Sequence, residues 1–318
     1  MTKLIQTGNR YDIEGHRGQA SLRDLLRWQF GGSRARWPER AQNRSYPPPP
    51  ERVGGNRLLV TWIGHATMLV QTAGCNILTD PFLSARASPV SFVGPKRVRP
   101  PALTSQTMPP IDMILLSHNH YDHMDIPALC DIARHHAPVV ITPTGNARLV
   151  QKASDQLRII ELGWGESTAV NGLSVHLTPA LHWSKRAFIG ANTALWGAFV
   201  VETPGGTIYF AGDTGFGTGA TFAAIRAQFG PPRLSLLPIG AYEPRWFMKP
   251  HHMNPEEAVR AHQALASRTS IAMHHGTIQL TDEAMDAPVR DLGEALSRHG
   301  VDRGAFLVPD VGEMLSIE

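Results

Sequence analysis

From Leu58 onward the chain alternates between short apolar runs and turn-forming residues. The first such runs, "LLVTWIG", "TMLVQTAG", "CNILTDP" and "DMILLSH", have the length and flanking residues of β-strands. Later runs of the same kind are "VVITP", "RIIEL", "LSVHLTPA", "LWGAFVVET", "TIYFAGD", "LSLLPIG", "SIAMHH" and "AFLVPD". Helical periodicity is found between them, at about 126–136, 145–153, 219–229, 255–267 and 287–299. Hairpins followed by strand and helix alternation predict an α/β protein with more than one mixed sheet.

The first 56 residues have a different pattern and predict an N-terminal arm, with the main domain at 57–318. Leu22, Leu25 and Leu26 have helical spacing after a capping pair, Ser21 and Asp24, so we expect one short amphipathic helix. The segment "SYPPPPERVGGN" then predicts an extended, proline-rich linker.

Composition narrows the class of protein. The chain has 318 residues, 42% of them hydrophobic, and a formal charge of +3, which suits a globular protein and does not favour a nucleic-acid partner. Arginines and aromatic residues are concentrated in the arm; this favours contact with an anionic lipid surface, or an arm that packs on the main domain. Whether the chain is a monomer or a homodimer is left open.

Cysteine content and hydropathy bear on location. Two cysteines are too few for a disulfide framework, and no run of about 18 apolar residues occurs. We therefore expect a cytoplasmic protein whose membrane contact, if any, is peripheral.

The segment "SHNHYDHMD" (117–125) has four metal-binding side chains within six residues, directly after an apolar strand. His118 and His120 alternate, so both side chains point to one side of an extended segment and can bind one ion. Asp122 and His123 follow in the next turn and can face a second ion. Imidazole and carboxylate ligands suit zinc, iron or manganese.

Other metal-binding residues follow other strands. His182 follows "LSVHLTPA", Asp213 ends "TIYFAGD", and His274 or His275 ends "SIAMHH". Each alone could be a structural residue, but together they extend the cluster. A carboxylate such as Asp213 can bridge two dications with its two oxygens.

These ligands, in this order, resemble those of the metallo-β-lactamase superfamily. The strings "TWIGHATMLV", "LTDPFLSARASP", "GPKRVR", "FAGDTG" and "PIGAYEPRWFMKP" are similar to the N-acylphosphatidylethanolamine-hydrolysing phospholipase D family. The resemblance extends over residues 57–318. It implies a four-layered αββα sandwich with two Zn²⁺ ions, although another divalent metal is an alternative.

The resemblance also implies roles for individual residues. His118, His120 and His182 would bind one zinc, Asp122, His123 and His274 the other, and Asp213 would bridge. The preference for His274 over His275 comes from the family's spacing. Asp80, in "NILTDP", would steady a ligand and help to position the attacking hydroxide.

An anionic phospholipid substrate requires cationic and apolar contacts. In "EPRWFMKPHH", His252 matches a substrate-contacting position of the family, and Arg245 and Lys249 are further candidates. The alternative is a solvated basic loop. The acyl groove would be lined by Trp246, Phe247, Met248 and the arm residues Leu22, Leu25, Leu26 and Trp28, which could equally be core residues.

The resulting hypothesis is a dinuclear zinc phosphodiesterase that releases N-acylethanolamine and leaves phosphatidate, with hydroxide as the nucleophile. One alternative keeps the metals but acts on a lactone or a soluble phosphodiester. A third reading, a non-catalytic metal-binding scaffold, is disfavoured because the ligand set is complete.

Overall fold

Two seven-stranded mixed sheets form the centre of the molecule. The computed structural model describes residues 2–16, 21–32, 34–186 and 190–318, apart from the side chain of Leu22. The predicted acyl contact of Leu22 therefore lies outside the described residues. Within these ranges every helix is too short or too polar to cross a bilayer.

The first sheet contains most of the strands from the N-terminal half of the main domain. In spatial order its strands are β16 (Met314–Ile317), β3 (Leu58–Gly64), β4 (Thr67–Thr72), β5 (Cys75–Thr79), β6 (Met113–Leu115), β7 (Val139–Pro143) and β8 (Arg158–Leu162). Pairing is antiparallel from β16 to β5 and parallel from β5 to β8.

The second sheet repeats this plan with later strands. In spatial order they are β9 (Ser167–Val170), β10 (Leu173–Thr178), β11 (Ala198–Thr203), β12 (Gly206–Phe210), β13 (Leu234–Pro238), β14 (Thr269–Met273) and β15 (Phe306–Leu307). Pairing is antiparallel from β9 to β12 and parallel from β12 to β15. The predicted α/β class with two mixed sheets is confirmed.

The described residues form seven helices. They are α1 (Leu22–Gly31), α2 (Ile126–His135), α3 (Ala147–Val150), α4 (Ala220–Phe229), α5 (Arg245–Met248), α6 (Pro255–Leu265) and α7 (Ala287–His299). Phe222 of α4, Val259 of α6 and Leu296 of α7 belong to the core that includes the second sheet, whereas Leu129 of α2 packs in a separate core with Ile114 of the first. The layers are therefore helix, sheet, sheet, helix. Asn254 and Glu257 form a capping box at the start of α6.

The arm packs against the main domain. Helix α1 begins with the predicted capping box between Ser21 and Asp24. The ring of Trp28 stacks on Phe247 at 5.1 Å, and its Nε1 donates to Asp282 Oδ1 at 3.1 Å. Sequence patterns did not predict the preceding hairpin of β1 (Leu4–Thr7) and β2 (Arg10–Ile13), nor the short strands β9 and β16.

Candidate metal centre

Three histidine rings converge where β6 and β10 end. His118 Nε2 lies 2.8 Å from His120 Nδ1, and His182 Nε2 lies 3.2 Å from the same atom. Nitrogens that bind one zinc ion at about 2.0–2.1 Å in tetrahedral geometry are about 3.3 Å apart. The spacing of these three nitrogens therefore suits a single ion.

A second group lies beside the first. Asp122 Oδ2 is 3.4 Å from His123 Nε2 and 3.5 Å from His274 Nε2. The ring of His274 turns into this group because its backbone adopts a positive φ of 62°. The neighbouring His275 packs instead against Trp62, with ring centroids 4.6 Å apart, so the structure brings His274 to the other donors.

Asp213 lies between the two groups. Its Oδ1 is 3.1 Å from His274 Nε2, and its Oδ2 is 3.1 Å from His123 Nε2 and 3.8 Å from His182 Nε2. The turn that holds it depends on Gly212, whose φ is +56°, since a Cβ there would lie 2.6 Å from the Cβ of Ser117. All seven predicted donors thus meet in one buried place.

Asp80 contacts the ring nitrogen of His123 that faces away from the other donors. Its carboxylate lies 2.6 Å from His123 Nδ1 and accepts hydrogen bonds from the backbone N–H and the hydroxyl of Ser117. The buried Ser117 hydroxyl also lies 2.8 Å from His118 Nδ1. Asp80 therefore lies where it could orient the ring of His123, and its role as a positioning residue stays a prediction.

His65 and Arg186, which contact the donor segments, were not predicted from sequence. His65, in the turn between β3 and β4, lies 2.9 Å from Asp122 Oδ2 and is buried. Arg186 donates to the carbonyls of Asn119 and Met124 and stacks on the Tyr121 ring, so it braces the loop after β6. His65 follows an apolar strand as the other donors do, which is the signal that could have identified it.

The electrostatics of the buried site depend on the balance between desolvation and charge. Burial lowers the pKa of His118 and His182 well below 6.5 and that of His120 to about 4. Burial also opposes the charge on His123, but the carboxylates of Asp213, Asp122 and Asp80 outweigh it and raise its pKa well above 6.5.

The carboxylates show the converse balance. Burial raises the pKa of Asp122 and Asp213, but His123 and the hydrogen bonds from neighbouring histidines lower both well below 3.8. Two buried carboxylates require compensating positive charge, which protons on His123 and His274 or bound metal ions can supply. The residues present therefore fit a pair of divalent ions.

A cavity of about 350 Å³ opens over the donors. His252 lies in its wall, with Nδ1 3.9 Å from Asp213 Oδ2. Burial lowers the pKa of His252 to about 4. The apolar part of the wall contains four of the residues predicted for an acyl groove, namely Leu25, Trp28, Phe247 and Met248. Lys185, which was not predicted, adds a cationic side chain to this wall.

The other predicted substrate contacts lie outside this wall. Arg245 donates to Glu257 at 2.6 Å and to the carbonyl of His252 at 3.0 Å, so its charge is used to hold the loop. The Trp246 ring lies under Arg27 at 4.5 Å, and Lys249 is exposed at the end of α5. A substrate contact by Arg245, Trp246 or Lys249 stays a prediction.

Comparisons with known proteins agree with this geometry. Residues 75–275 match the family model described as the beta-lactamase superfamily domain. N-acyl-phosphatidylethanolamine-hydrolyzing phospholipase D 1 of Caenorhabditis elegans is 38% identical over 81% of this chain and 75% of its own length. The mitochondrial enzyme of that name from Saccharomyces cerevisiae is 34% identical over 80% of this chain and 54% of its own length. Among solved structures, a possible metal-dependent hydrolase from Veillonella parvula has a TM-score of 0.65 at 18% identity, covering 81% of this chain and 99% of its own.

Proposed function

Because the chain belongs to the β-lactamase superfamily, and within it to the family of N-acylphosphatidylethanolamine-hydrolysing phospholipases D, we propose that it hydrolyses N-acylphosphatidylethanolamine. Water would add across the phosphorus–oxygen bond of the substrate, giving N-acylethanolamine and phosphatidate. The observation that carries this proposal is the pair of donor groups with Asp213 between them, at the base of a cavity with apolar walls.

The proposed metal ligands follow the two groups. His118, His120 and His182 would hold one Zn²⁺, while Asp122, His123 and His274 would hold the other, with Asp213 facing both. When bound, two such ions lower the pKa of a shared water and stabilise negative charge on a phosphoryl group. The identity and number of the ions belong to this proposal.

The chain's own residues orient these donors. Asp80 fixes the ring plane of His123, and His65 fixes the carboxylate of Asp122 through the 2.9 Å contact. Such supporting hydrogen bonds set the direction of each donor atom and so the position of the reacting oxygen. Arg186 keeps the intervening loop in place through two main-chain carbonyls.

Two further residues are proposed to bind the phosphodiester. His252 has a buried Nδ1 without a hydrogen-bond partner among the described residues, so it can hydrogen-bond a phosphate oxygen. Lys185 adds a positive charge to the same cavity wall. The acyl chains would lie against Leu25, Trp28 and Phe247, because these side chains form the apolar part of the wall.

Three broader assignments accompany the proposal. The division into an arm, residues 1–56, and a hydrolase domain, residues 57–318, is retained. A cytoplasmic location with peripheral contact to a membrane is compatible with the absence of a spanning helix among the described residues. A homodimer remains an alternative to a monomer.

The test compares two substrates and two variants. Zinc-loaded protein is incubated with N-acylphosphatidylethanolamine and, separately, with bis(p-nitrophenyl) phosphate, and N-acylethanolamine or nitrophenol is measured. We expect turnover of both, and loss of both with Asp213→Ala or His182→Ala. Turnover of the small diester alone would contradict the lipid substrate, and active variants would contradict the metal mechanism.

A further inference from the structure

The proposed ligand His182 is held by contacts on two sides. Its Nε2 faces the first donor group, while its Nδ1 donates to the main-chain oxygen of His251 at 3.1 Å. Two residues after His182, Ser184 exchanges two hydrogen bonds with Asn192. The backbone N–H of Asn192 donates to the carbonyl of Ser184 at 2.7 Å, and the backbone N–H of Ser184 donates to Asn192 Oδ1 at 3.1 Å. The position of the His182 ring therefore depends on His251 and Asn192.

Asn192 also joins this segment to the hairpin of β1 and β2. Its carbonyl accepts a hydrogen bond from the backbone N–H of Tyr11 at 2.8 Å, and its Nδ2 donates to Asp12 Oδ1 at 3.2 Å. Asn192 is buried and has a φ of 59°, a left-handed conformation that asparagine adopts more readily than most residues. Its backbone and its side chain thus both connect β2 to the segment that follows His182.

His16 connects the hairpin to the second support of the ligand. It lies three residues after the end of β2, and its Nε2 is 3.4 Å from His251 Nδ1. The two rings meet edge to face, with their centroids 5.2 Å apart. The hairpin therefore packs against the buried residue whose carbonyl orients His182.

The hairpin has a fixed position because it is anchored in the main domain. Ile13 belongs to the core that includes the second sheet, and Leu4 packs against that core. Thr2 Oγ1 lies 2.7 Å from Thr221 Oγ1 of α4. A two-stranded hairpin is only marginally stable by itself, so these contacts make it a rigid support.

We propose that the β1–β2 hairpin is part of the metal centre. Asp12 and His16 are positioning residues, which act through Asn192 and His251 to fix the ring of His182. Hydrogen bonds that support a metal ligand in this way commonly change the affinity for the metal by about 10–100-fold. The inference rests on the proposed role of His182 as a ligand, and it extends the metal centre into the arm.

The test removes the hairpin contacts one at a time and leaves every proposed ligand in place. Zinc-loaded Asp12→Ala and His16→Ala are titrated with a competing chelator in the absence of substrate, and the zinc retained per chain is measured by atomic emission. We expect each variant to bind one of its two ions about tenfold more weakly than the wild type does. The affinity for the other ion should be unchanged, because the contacts described above lead to the group that contains His182.

Two variants in the same hairpin are matched controls. Asp12→Asn keeps an oxygen that can accept from Asn192 Nδ2, so it should bind both ions as the wild type does. Glu14→Ala should also bind both normally, because the Glu14 carboxylate pairs with Lys3 inside the hairpin.

His182→Ala separates the inference from the ligand assignment on which it rests. If this variant keeps both ions at wild-type affinity, the assignment of His182 is wrong and the inference is overturned with it. If it loses one ion while Asp12→Ala and His16→Ala bind zinc like the wild type, the inference alone is overturned. Equal weakening of both ions in the hairpin variants, with a lowered melting temperature, would also overturn it, because a purely structural hairpin gives that result.

Discussion

His65 Nε2 lies 2.9 Å from Asp122 Oδ2, while the main-chain oxygen of His65 accepts a hydrogen bond from the backbone N–H of His274 at 3.0 Å. His65 thus contacts the proposed ligand Asp122 with its side chain. Its main chain also fixes the backbone of a second proposed ligand, His274. Its φ of 57° is uncommon for a residue other than glycine, and such conformations are concentrated at functional sites.

Replacing His65 by glutamine should weaken metal binding. Without the imidazole, Asp122 is free to rotate, and loss of such a support lowers affinity by about 10–100-fold. The measurement is competition of the metal-loaded protein with a chelator, with metal content determined after dialysis. His262→Gln is the control, because His262 is also a buried histidine but pairs with Ser270. Equal metal retention in both variants would show that His65 has no role at the site.

The pair His274 and His275 allows a direct test of the ligand choice. His274→Ala should lose one metal ion and nearly all activity, because its Nε2 lies near both Asp122 and Asp213. His275→Ala should keep its metal, since that ring packs on Trp62. Metal content per chain is measured by atomic emission. Loss of metal in His275→Ala at an unchanged melting temperature would reverse the assignment.

Trp28→Ala should raise KM for the lipid substrate. The change removes the stack on Phe247 and the hydrogen bond to Asp282, which hold α1 at the side of the cavity. From the usual strength of two such contacts we expect KM to rise about tenfold. Turnover of bis(p-nitrophenyl) phosphate should change little. Trp37→Ala is a useful comparison, because Trp37 also anchors the arm, through the carbonyl of Glu283, outside this cavity. A matching effect of both variants would assign the change to general loosening of the arm.

Cys75 should resist modification in the native protein. Burial raises the pKa of its thiol to about 12, so at pH 9, where an ordinary thiol is half ionised, Cys75 stays protonated. A thiol reagent such as dithionitrobenzoate should therefore modify Cys75 only after denaturation, which mass spectrometry of tryptic peptides can establish. Rapid labelling of Cys75 in the folded chain would mean that β5 opens readily.

The positions of the donors were predictable from sequence because each follows an apolar strand, so a local pattern places it at a sheet edge. Asp213 and His182 are examples: their strands and turns are visible without knowledge of their partners. The choice of His274 over His275 came instead from the family resemblance. Arg186 was not predictable in this way, since it donates to main-chain carbonyls whose positions depend on tertiary packing.

Arg245 shows the limit of reading charge from sequence. Its proximity to His252 suggested a phosphate contact, but in the fold the guanidinium pairs with Glu257, twelve residues later. Which partner a long cationic side chain selects is decided by local packing. The strands β1, β2, β9 and β16 are short and partly exposed, so they lack the apolar runs by which the central strands were recognised.

The donors come from both sheets. His118, His120, Asp122 and His123 follow β6 of the first sheet, whereas His182, Asp213 and His274 follow β10, β12 and β14 of the second. Neither half of the sandwich carries all seven proposed metal ligands. A nascent chain in which only one half has folded would therefore bind the proposed metals weakly. Tight metal binding would follow only after the second half has docked, so it would be a late step in the folding of the chain.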